Sequence, residues 1–213
     1  MAANRAFLTV ESMNHAKLCS SSEWGEPIRE ELLPCLTRHV DLGVEMLDLG
    51  RRPGAATGWL RHRARRQTTV EISEDVAAAL GQRSTGTNVE VVVADATGLS
   101  WPDCSFGSLG SFTSLHHVPT PELQDKTLGE AFRLLRPGRT FIGSDSLAGD
   151  GLRRFHKADA YNPVDPPRLL ERLRALGSKK IRVVVEDDVS FVAQKGERGS
   201  PASPPRDRSE LAR

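Results

Sequence analysis

The sequence has few cysteines and almost no net charge, and each shortage excludes a class of protein. Three cysteines among 213 residues, with no CxxC or Cys/His spacing, indicate reduced thiols rather than a zinc site or a disulfide framework. A net charge of +1 provides no whole-chain field that would attract nucleic acid or an anionic membrane. No apolar run approaches about 18 residues and no signal peptide is visible. We therefore expect a cytoplasmic protein that binds no metal, nucleic acid or membrane.

The remaining composition predicts one globular domain between two polar segments. A chain of 213 residues is long enough to bury a substantial core. Residues 1–20 are polar and without periodicity, which predicts a flexible lead-in. Residues 196–213 are mostly Gly, Ser, Pro, Arg and Glu, a composition that cannot bury a core and predicts a disordered tail. The folded domain is expected over residues 21–195, as a monomer or a homodimer.

Residues 21–40 are predicted to form an N-terminal helix. Ser22 can cap a helix from about Glu23 to His39. Four apolar residues recur within it at helical spacing: Ile28, Leu32, Leu33 and Leu36. Pro34 is expected to bend or divide this helix. The apolar stripe favours packing against the domain, and a lid over a ligand cleft is the alternative.

Short apolar segments alternate with helical segments through most of the chain. Five of them are predicted strands: Val44–Leu49, Thr68–Ile72, Glu90–Ala94, Ser108–Thr113 and Thr140–Ser144. The predicted helices are Ala55–Arg66, Pro121–Leu135, which ends before Arg136-Pro137-Gly138, and Arg168–Leu176. This alternation predicts a parallel sheet with helices on both faces.

The last two predicted strands differ from the others. Ile181–Val185 and Val189–Ala193 are separated by only three residues, so they must be antiparallel. The predicted fold is therefore a doubly wound, Rossmann-like α/β domain. Its seven-stranded sheet is mostly parallel and ends in an antiparallel C-terminal hairpin.

A glycine-containing loop joins the first strand to the first helix within Met46–Leu60, MLDLGRRPGAATGWL. The strand ends at Asp48-Leu49-Gly50, and Pro53-Gly54 precedes a helical segment near Ala55. A strand, a turn and a helix in this order bring bare backbone N–H groups and a helix N-terminus to a ligand. The loop therefore predicts nucleotide binding, although it lacks the dinucleotide pattern G-x-G-x-x-G.

Two acids follow strands two and three, where open α/β sheets bind ligands. Glu71 lies about twenty residues beyond the glycine loop and can accept hydrogen bonds from both hydroxyls of a ribose. The alternative is an exposed acid at a strand end. Asp95 can accept the amino proton of an adenine, and the alternative is a helix or turn cap.

Three further residues at strand ends could transfer protons. His116 and His117 follow strand four, and Asp145 follows strand five. A histidine there can act as a general base near pH 7. Two adjacent side chains rarely share a pocket, however, and neither histidine has an obvious carboxylate partner in the sequence. The catalytic group stays unassigned, with His117 and Asp145 as candidates.

Together these segments resemble the class I methyltransferases that use S-adenosylmethionine (SAM), in particular their small-molecule "type 11" branch. The matching stretches are LDLGRRPG, VEI around Glu71, VADATGLSWPDCSF, FTSLHHV and RLLRPG. The resemblance covers about Glu45 to Ala193. It implies a seven-stranded sheet with an antiparallel last strand, SAM as the cofactor, and methyl transfer to a small-molecule acceptor.

The resemblance also implies a cofactor site. Its expected members are Asp48, Gly50, Arg52, Gly54, Glu71, Ile72, Asp95, Ala96 and Phe112. Gly50 and Gly54 would shape the loop and Glu71 would hold the ribose. The pair Asp95-Ala96 would hold the adenine, and Phe112 would border the methyl-donor end.

One residue departs from the family pattern where it matters for binding. Arg52 stands at the position of the middle glycine, which lets the backbone approach the methionine moiety. A non-catalytic methyltransferase-fold protein that binds a partner is therefore an alternative. An NAD(P)-dependent reductase is another, although the glycine spacing, the Asp95 motif and a missing Tyr-x-x-x-Lys pair disfavour it.

Overall fold

The computed structural model describes residues 26, 28–50, 56–150, 153, 156 and 160–197. The predicted lead-in, the loop residues 51–55 with Arg52 and Gly54, and residues 198–213 lie outside the described residues. At the expected boundary, the backbone N–H of Gly196 donates to the Gly177 carbonyl at 3.1 Å. The domain boundaries stay a prediction.

Seven strands form one sheet. They are β1 (Glu45–Leu49), β2 (Arg66–Glu71), β3 (Val89–Val93), β4 (Phe106–Phe112), β5 (Leu135–Ser146), β6 (Ser178–Val185) and β7 (Asp188–Lys195). Their spatial order is β3-β2-β1-β4-β5-β7-β6. Strands β1 to β5 pair in parallel, and β7 pairs antiparallel with both β5 and β6. The predicted mostly parallel sheet with an antiparallel C-terminal hairpin is confirmed.

The helices differ more from the prediction than the strands do. The α-helices whose bounds the structure describes are α1 (Leu33–Thr37), α2 (Thr57–Leu60), α3 (Glu74–Ser84), α4 (Pro121–Leu134) and α5 (Pro166–Ala175). A π-helical turn, Ile28–Leu32, precedes α1, and a 3₁₀ turn, Leu115–His117, follows β4. The predicted helix Ala55–Arg66 was too long, because Arg66 already begins β2 and its N–H donates to the Val44 carbonyl at 2.8 Å.

Helix α3 was not predicted, although its start has a clear capping signal. The Ser73 hydroxyl accepts a hydrogen bond from the Val76 N–H, and Glu74 and Asp75 complement the helix dipole in the first turn. Only two side chains of α3 are buried, Ala77 and Leu80. Such a weak apolar stripe explains why periodicity did not reveal this helix.

Pro34 divides the N-terminal helix, as predicted. The π-helical turn ends at Leu32, and Pro34 occupies the first turn of α1, where its missing N–H costs little. The α1 residues Leu33 and Leu36 are buried in a cluster with Met46 and Ile142 of the sheet. The apolar stripe therefore serves packing.

The core consists of two clusters, one on each face of the sheet. Because side chains alternate along a strand, Leu47 and Phe141 face the cluster that includes α4 and α5, whereas Met46 and Ile142 face α1 and α2. This arrangement confirms the predicted helices on both faces. In the part of the chain that the structure describes, no helix is both long and apolar enough to cross a bilayer.

Candidate functional site

The ends of the parallel strands define the site. Strand β1 lies between β2 and β4, so the strand order reverses there, and open α/β sheets bind ligands in the crevice outside the carboxyl ends at such a point. Gly50 follows β1, Glu71 ends β2 and Asp95 comes shortly after β3. The structure thus brings the two predicted acids and the start of the glycine loop to the same edge of the sheet.

Asp48 is buried beneath the start of the glycine loop. Its carboxylate accepts hydrogen bonds from Thr57 Oγ1 at 2.9 Å and from Gln67 Nε2 at 3.4 Å. Burial raises the pKa of Asp48 to about 6, and these two hydrogen bonds oppose the shift. Asp48 therefore connects β1 to α2 and β2, and fixes the helix that begins after the loop.

Gly50 is the loop glycine that the structure describes. Its N–H donates to the Val70 carbonyl at 3.2 Å. A Cβ atom on Gly50 would lie 3.5 Å from Thr69 Cγ2, which is ordinary van der Waals contact. Packing against the described residues therefore does not demand a glycine here, and the role of Gly50 in ligand binding stays a prediction.

Glu71 is a buried acid and not the exposed one that the alternative reading expected. Its side chain is 1% exposed, and Oε1 accepts a hydrogen bond from the Ser73 N–H at 2.9 Å. The next residue, Ile72, leaves the strand with 55% of its surface exposed. The end of β2 thus offers a fixed carboxylate beside an exposed apolar side chain.

Asp95 adopts the turn-capping arrangement that was its alternative explanation. Oδ1 accepts from the Thr97 N–H at 2.8 Å, and the Asp95 carbonyl accepts from the Gly98 N–H at 3.1 Å. The side chain is exposed at the crevice, and Ala96 is half-buried against the core. Contact between Asp95 and an adenine stays a prediction.

Phe112 lies in the core cluster that contains α1. It is buried, and a Cβ atom on Gly110 would lie 2.8 Å from its ring, so Gly110 makes room for it. Packing accounts for Phe112, and its place at the methyl-donor end stays a prediction.

The backbone is strained directly after β4. Thr113 has φ +50°, a value that is rare for a β-branched residue, and its N–H donates to the Ser144 carbonyl at 2.8 Å. Such strain persists where the surrounding structure fixes it, commonly at functional sites. The strained residue turns the chain from β4 into the 3₁₀ turn that carries the two histidines.

His116 has a carboxylate partner after all, and it is Asp145. His116 Nδ1 lies 2.5 Å from Asp145 Oδ1, and both side chains are buried. The parallel pairing of Phe112 with Ser144 places Asp145 beside the residues that follow β4. The sequence predicts both strands, but this contact depends on the register of β4 against β5.

The side chains of the adjacent histidines lie together, contrary to expectation. The rings of His116 and His117 lie 4.0 Å apart between centroids. A third histidine, His156, packs on both at 5.0 and 4.9 Å. His156 is forty positions away, and the sequence gives no signal for this contact.

Asp145 accepts three hydrogen bonds. Besides His116, its Oδ1 accepts from the Ser146 N–H at 2.9 Å and its Oδ2 accepts from the Leu115 N–H at 2.8 Å. Nearby, partial desolvation raises the pKa of Asp188, and repulsion by Asp145 and Asp187 adds to the shift. The carboxyl end of β5 is therefore a region of negative charge.

Comparisons with known proteins agree on the fold. Residues 47–143 match the family described as "Methyltransferase domain". The PH0226 protein of Pyrococcus horikoshii is 20% identical with a TM-score of 0.69, covering 83% of this chain and 93% of its own. A SAM-dependent methyltransferase of Methanosarcina mazei is 18% identical with a TM-score of 0.63, covering 78% and 98%. No curated protein matches the sequence significantly.

A cyclase shares the same architecture. The cyclase SpnF is 19% identical with a TM-score of 0.63, covering 78% of this chain and 80% of its own. At such low identity, these neighbours establish the fold alone, and a fold hosts more than one reaction. The reaction must therefore be argued from the domain match and from the site.

Proposed function

We propose that this chain, whose residues 47–143 match the methyltransferase domain family and whose sheet has the order β3-β2-β1-β4-β5-β7-β6, uses SAM to methylate a small-molecule acceptor. The observation that carries this proposal is the conjunction of Gly50, buried Glu71 and Asp95 at the point where the strand order reverses. Bound SAM would supply an electrophilic methyl group. The protein would contribute alignment of the acceptor and exclusion of water.

Each described residue of the proposed pocket has a distinct task. Gly50 leaves space for the ligand, and the fixed carboxylate of Glu71 accepts hydrogen bonds from the ribose. Ile72 covers the adenine ring with its exposed side chain, and Asp95-Ala96 holds the adenine edge. Phe112 supports the methyl-donor end from within the core. In the undescribed loop, Gly54 would shape the binding turn and Arg52 would lie near the methionine moiety.

The two candidates for proton transfer have different capacities. Asp145 already accepts three hydrogen bonds, so we assign it the positioning of His116 rather than proton transfer. His117 is then the remaining candidate. Its role depends on the acceptor atom, because an acceptor that is already nucleophilic needs no base.

Calorimetry with SAM and with S-adenosylhomocysteine tests the cofactor. We expect saturable binding of both, and weaker binding after Glu71→Ala or Asp95→Ala. A hydrogen bond to a charged acceptor contributes about 1.5–3 kcal/mol, so Glu71→Ala should weaken SAM binding roughly tenfold or more. Glu90→Ala removes an exposed acid at the opposite end of β3 and should leave the affinity unchanged.

The same titration separates the alternatives. Binding of NAD or NADP in place of SAM would favour the reductase. No binding of any of these cofactors would favour a non-catalytic partner-binding protein. Unchanged SAM affinity in both acid variants would remove the proposed pocket. The cytoplasmic location and the monomeric or homodimeric state remain part of this proposal, testable by fractionation and by light scattering.

A further inference from the structure

We infer that His116, His117 and His156 form a binding site for a divalent transition-metal ion, with Zn²⁺ as the expected occupant. The inference revises the expectation of a metal-free protein, which rested on cysteine count and spacing. It stands on the geometry of the three side chains and does not depend on methyl transfer.

The three imidazoles are gathered closely enough to share one ion. One ring nitrogen from each histidine lies within 4.8 Å of the others, and all three side chains are buried. Tetrahedral coordination at about 2.0–2.1 Å places the ligand nitrogens roughly 3.3 Å apart. Small rotations of the rings would bring the nitrogens from within 4.8 Å to the tetrahedral spacing, so the backbone need not move.

Asp145 gives the cluster the outer partner that metal-binding histidines usually have. It holds His116 through Nδ1 at 2.5 Å, which leaves Nε2 of the same ring to carry a lone pair. A carboxylate in this position fixes the tautomer and orientation of the ring and strengthens it as a ligand.

The backbone that carries two of the ligands is also held from outside. The His116 carbonyl accepts from the Asn162 N–H at 2.9 Å, and the Leu115 carbonyl accepts from Gln124 Nε2 at 2.9 Å. Asn162 Nδ2 donates to the Val118 carbonyl at 3.1 Å. The 3₁₀ turn is therefore fixed at both ends, and a ligand set on a fixed backbone binds with less loss of entropy.

The donor chemistry selects the class of ion. Three neutral imidazoles suit Zn²⁺, Ni²⁺, Cu²⁺ and Fe²⁺, whereas Mg²⁺ and Ca²⁺ prefer oxygen ligands. Three protein ligands also leave a coordination position open for water or another small molecule. In the loaded protein His117 would be a metal ligand and could not act as a general base.

Metal binding can be measured directly on the full chain. The protein is stripped with a chelator and titrated with Co²⁺ by absorption spectroscopy and with Zn²⁺ by calorimetry. A Cys35→Ser background removes an exposed thiol that could bind either ion. We expect one equivalent of Co²⁺ or of Zn²⁺ to bind and Mg²⁺ not to bind. Bound Co²⁺ should show the visible d–d absorption bands that indicate a low coordination number.

Three variants locate the site. His156→Gln removes a ligand and should weaken Zn²⁺ binding at least about a hundredfold. Asp145→Asn removes the outer partner and should weaken it about 10–100-fold. His62→Gln alters an exposed histidine elsewhere and should leave the affinity unchanged. Circular dichroism of each metal-free variant checks folding, and His117→Gln replaces His156→Gln if the latter does not fold.

Two results would overturn the inference. One is the absence of stoichiometric Co²⁺ or Zn²⁺ binding by the parent protein. The other is an equal effect of His62→Gln and His156→Gln, which would indicate adventitious surface binding. Neither result bears on SAM affinity, so failure of the metal site and failure of the proposed methyl transfer can be distinguished.

Discussion

Asp48 places an ionisable group where ionisation is costly. Burial raises its pKa from 3.8 to about 6 in the folded protein. The unfolded chain therefore releases this proton first, and stability falls as pH rises from about 4 to 6. Above pH 6 both states are ionised, and the cost stays constant at about 3 kcal/mol, since one pKa unit corresponds to about 1.4 kcal/mol.

Replacing Asp48 with asparagine should remove this dependence. We expect the free energy of unfolding of the parent, relative to Asp48→Asn, to fall by up to about 3 kcal/mol between pH 4 and pH 7. Urea denaturation at a series of pH values measures both proteins. A difference that stays constant across this range would mean that Asp48 is not desolvated in the folded state.

At the scale of single residues, the place of a residue in the fold could be predicted from the sequence better than the side chains that it contacts. The placement of Glu71 and Asp95 at strand ends follows from chain order alone, because parallel strands end at one edge. The contact between His116 and Asp145 depends on the register of β4 against β5. The contact with His156 depends on a segment without a periodic pattern, so nothing in the sequence indicated it.

Strand β5 depends on a glycine at its centre. Gly143 pairs with Ser111 of β4. A Cβ atom there would lie 2.4 Å from the Ser111 carbonyl and 2.6 Å from the Phe191 ring. No rotation of a flexible side chain can relieve a contact with backbone, so the neighbouring strands would have to separate.

We therefore expect Gly143→Ala to destabilise the domain by about 1–3 kcal/mol, as overpacking generally does. Gly129→Ala is the matched control, because Gly129 lies within α4 and a Cβ atom there would contact nothing within 4 Å. Replacing a helical glycine by alanine should stabilise the protein by about 0.5–1 kcal/mol. Chemical denaturation of both variants gives the comparison, and equal effects would contradict the role assigned to Gly143.

At the scale of elements, strands were easier to predict than helices. Each predicted strand corresponds to an observed one within a few residues, except that β5 begins at Leu135, ahead of Thr140. Helix α4 ends at Leu134, ahead of Arg136-Pro137-Gly138 as predicted, but these three residues already belong to β5. Helix α3 escaped prediction because alanines form most of its apolar surface, and α2 is shorter than predicted because the chain turns after Leu60.

At the scale of the whole molecule, the last strand joins the C-terminal hairpin to the parallel part of the sheet. Strand β7 lies between β5 and β6 and runs against both, so the C-terminal residues hold the sheet together. The predicted hairpin correctly gave this antiparallel geometry, whereas the position of β7 inside the sheet was not predicted. The short connection between the two predicted strands shows that they are antiparallel to each other. It does not show which of the two pairs with β5.

Lys195 attaches the end of β7 to the junction between α4 and β5. Its Nζ donates to the Phe132 carbonyl at 2.5 Å and to the Leu135 carbonyl at 2.7 Å, where α4 ends and β5 begins. These carbonyls lack helical partners, and a cation near a helix C-terminus also complements the dipole. Lys195 thereby ties the end of the sheet to the junction between α4 and β5.

Two truncations test this attachment. Removing residues 198–213 should leave the melting temperature unchanged, because that segment has almost nothing apolar to bury. Ending the chain at Gln194 also removes Lys195, whose charge-assisted hydrogen bonds contribute about 1.5–3 kcal/mol. For a domain of this size, about 2 kcal/mol corresponds to a decrease of roughly 4–8 °C. Scanning calorimetry of the two truncated proteins separates them, and equal melting temperatures would show that Lys195 does not secure the fold.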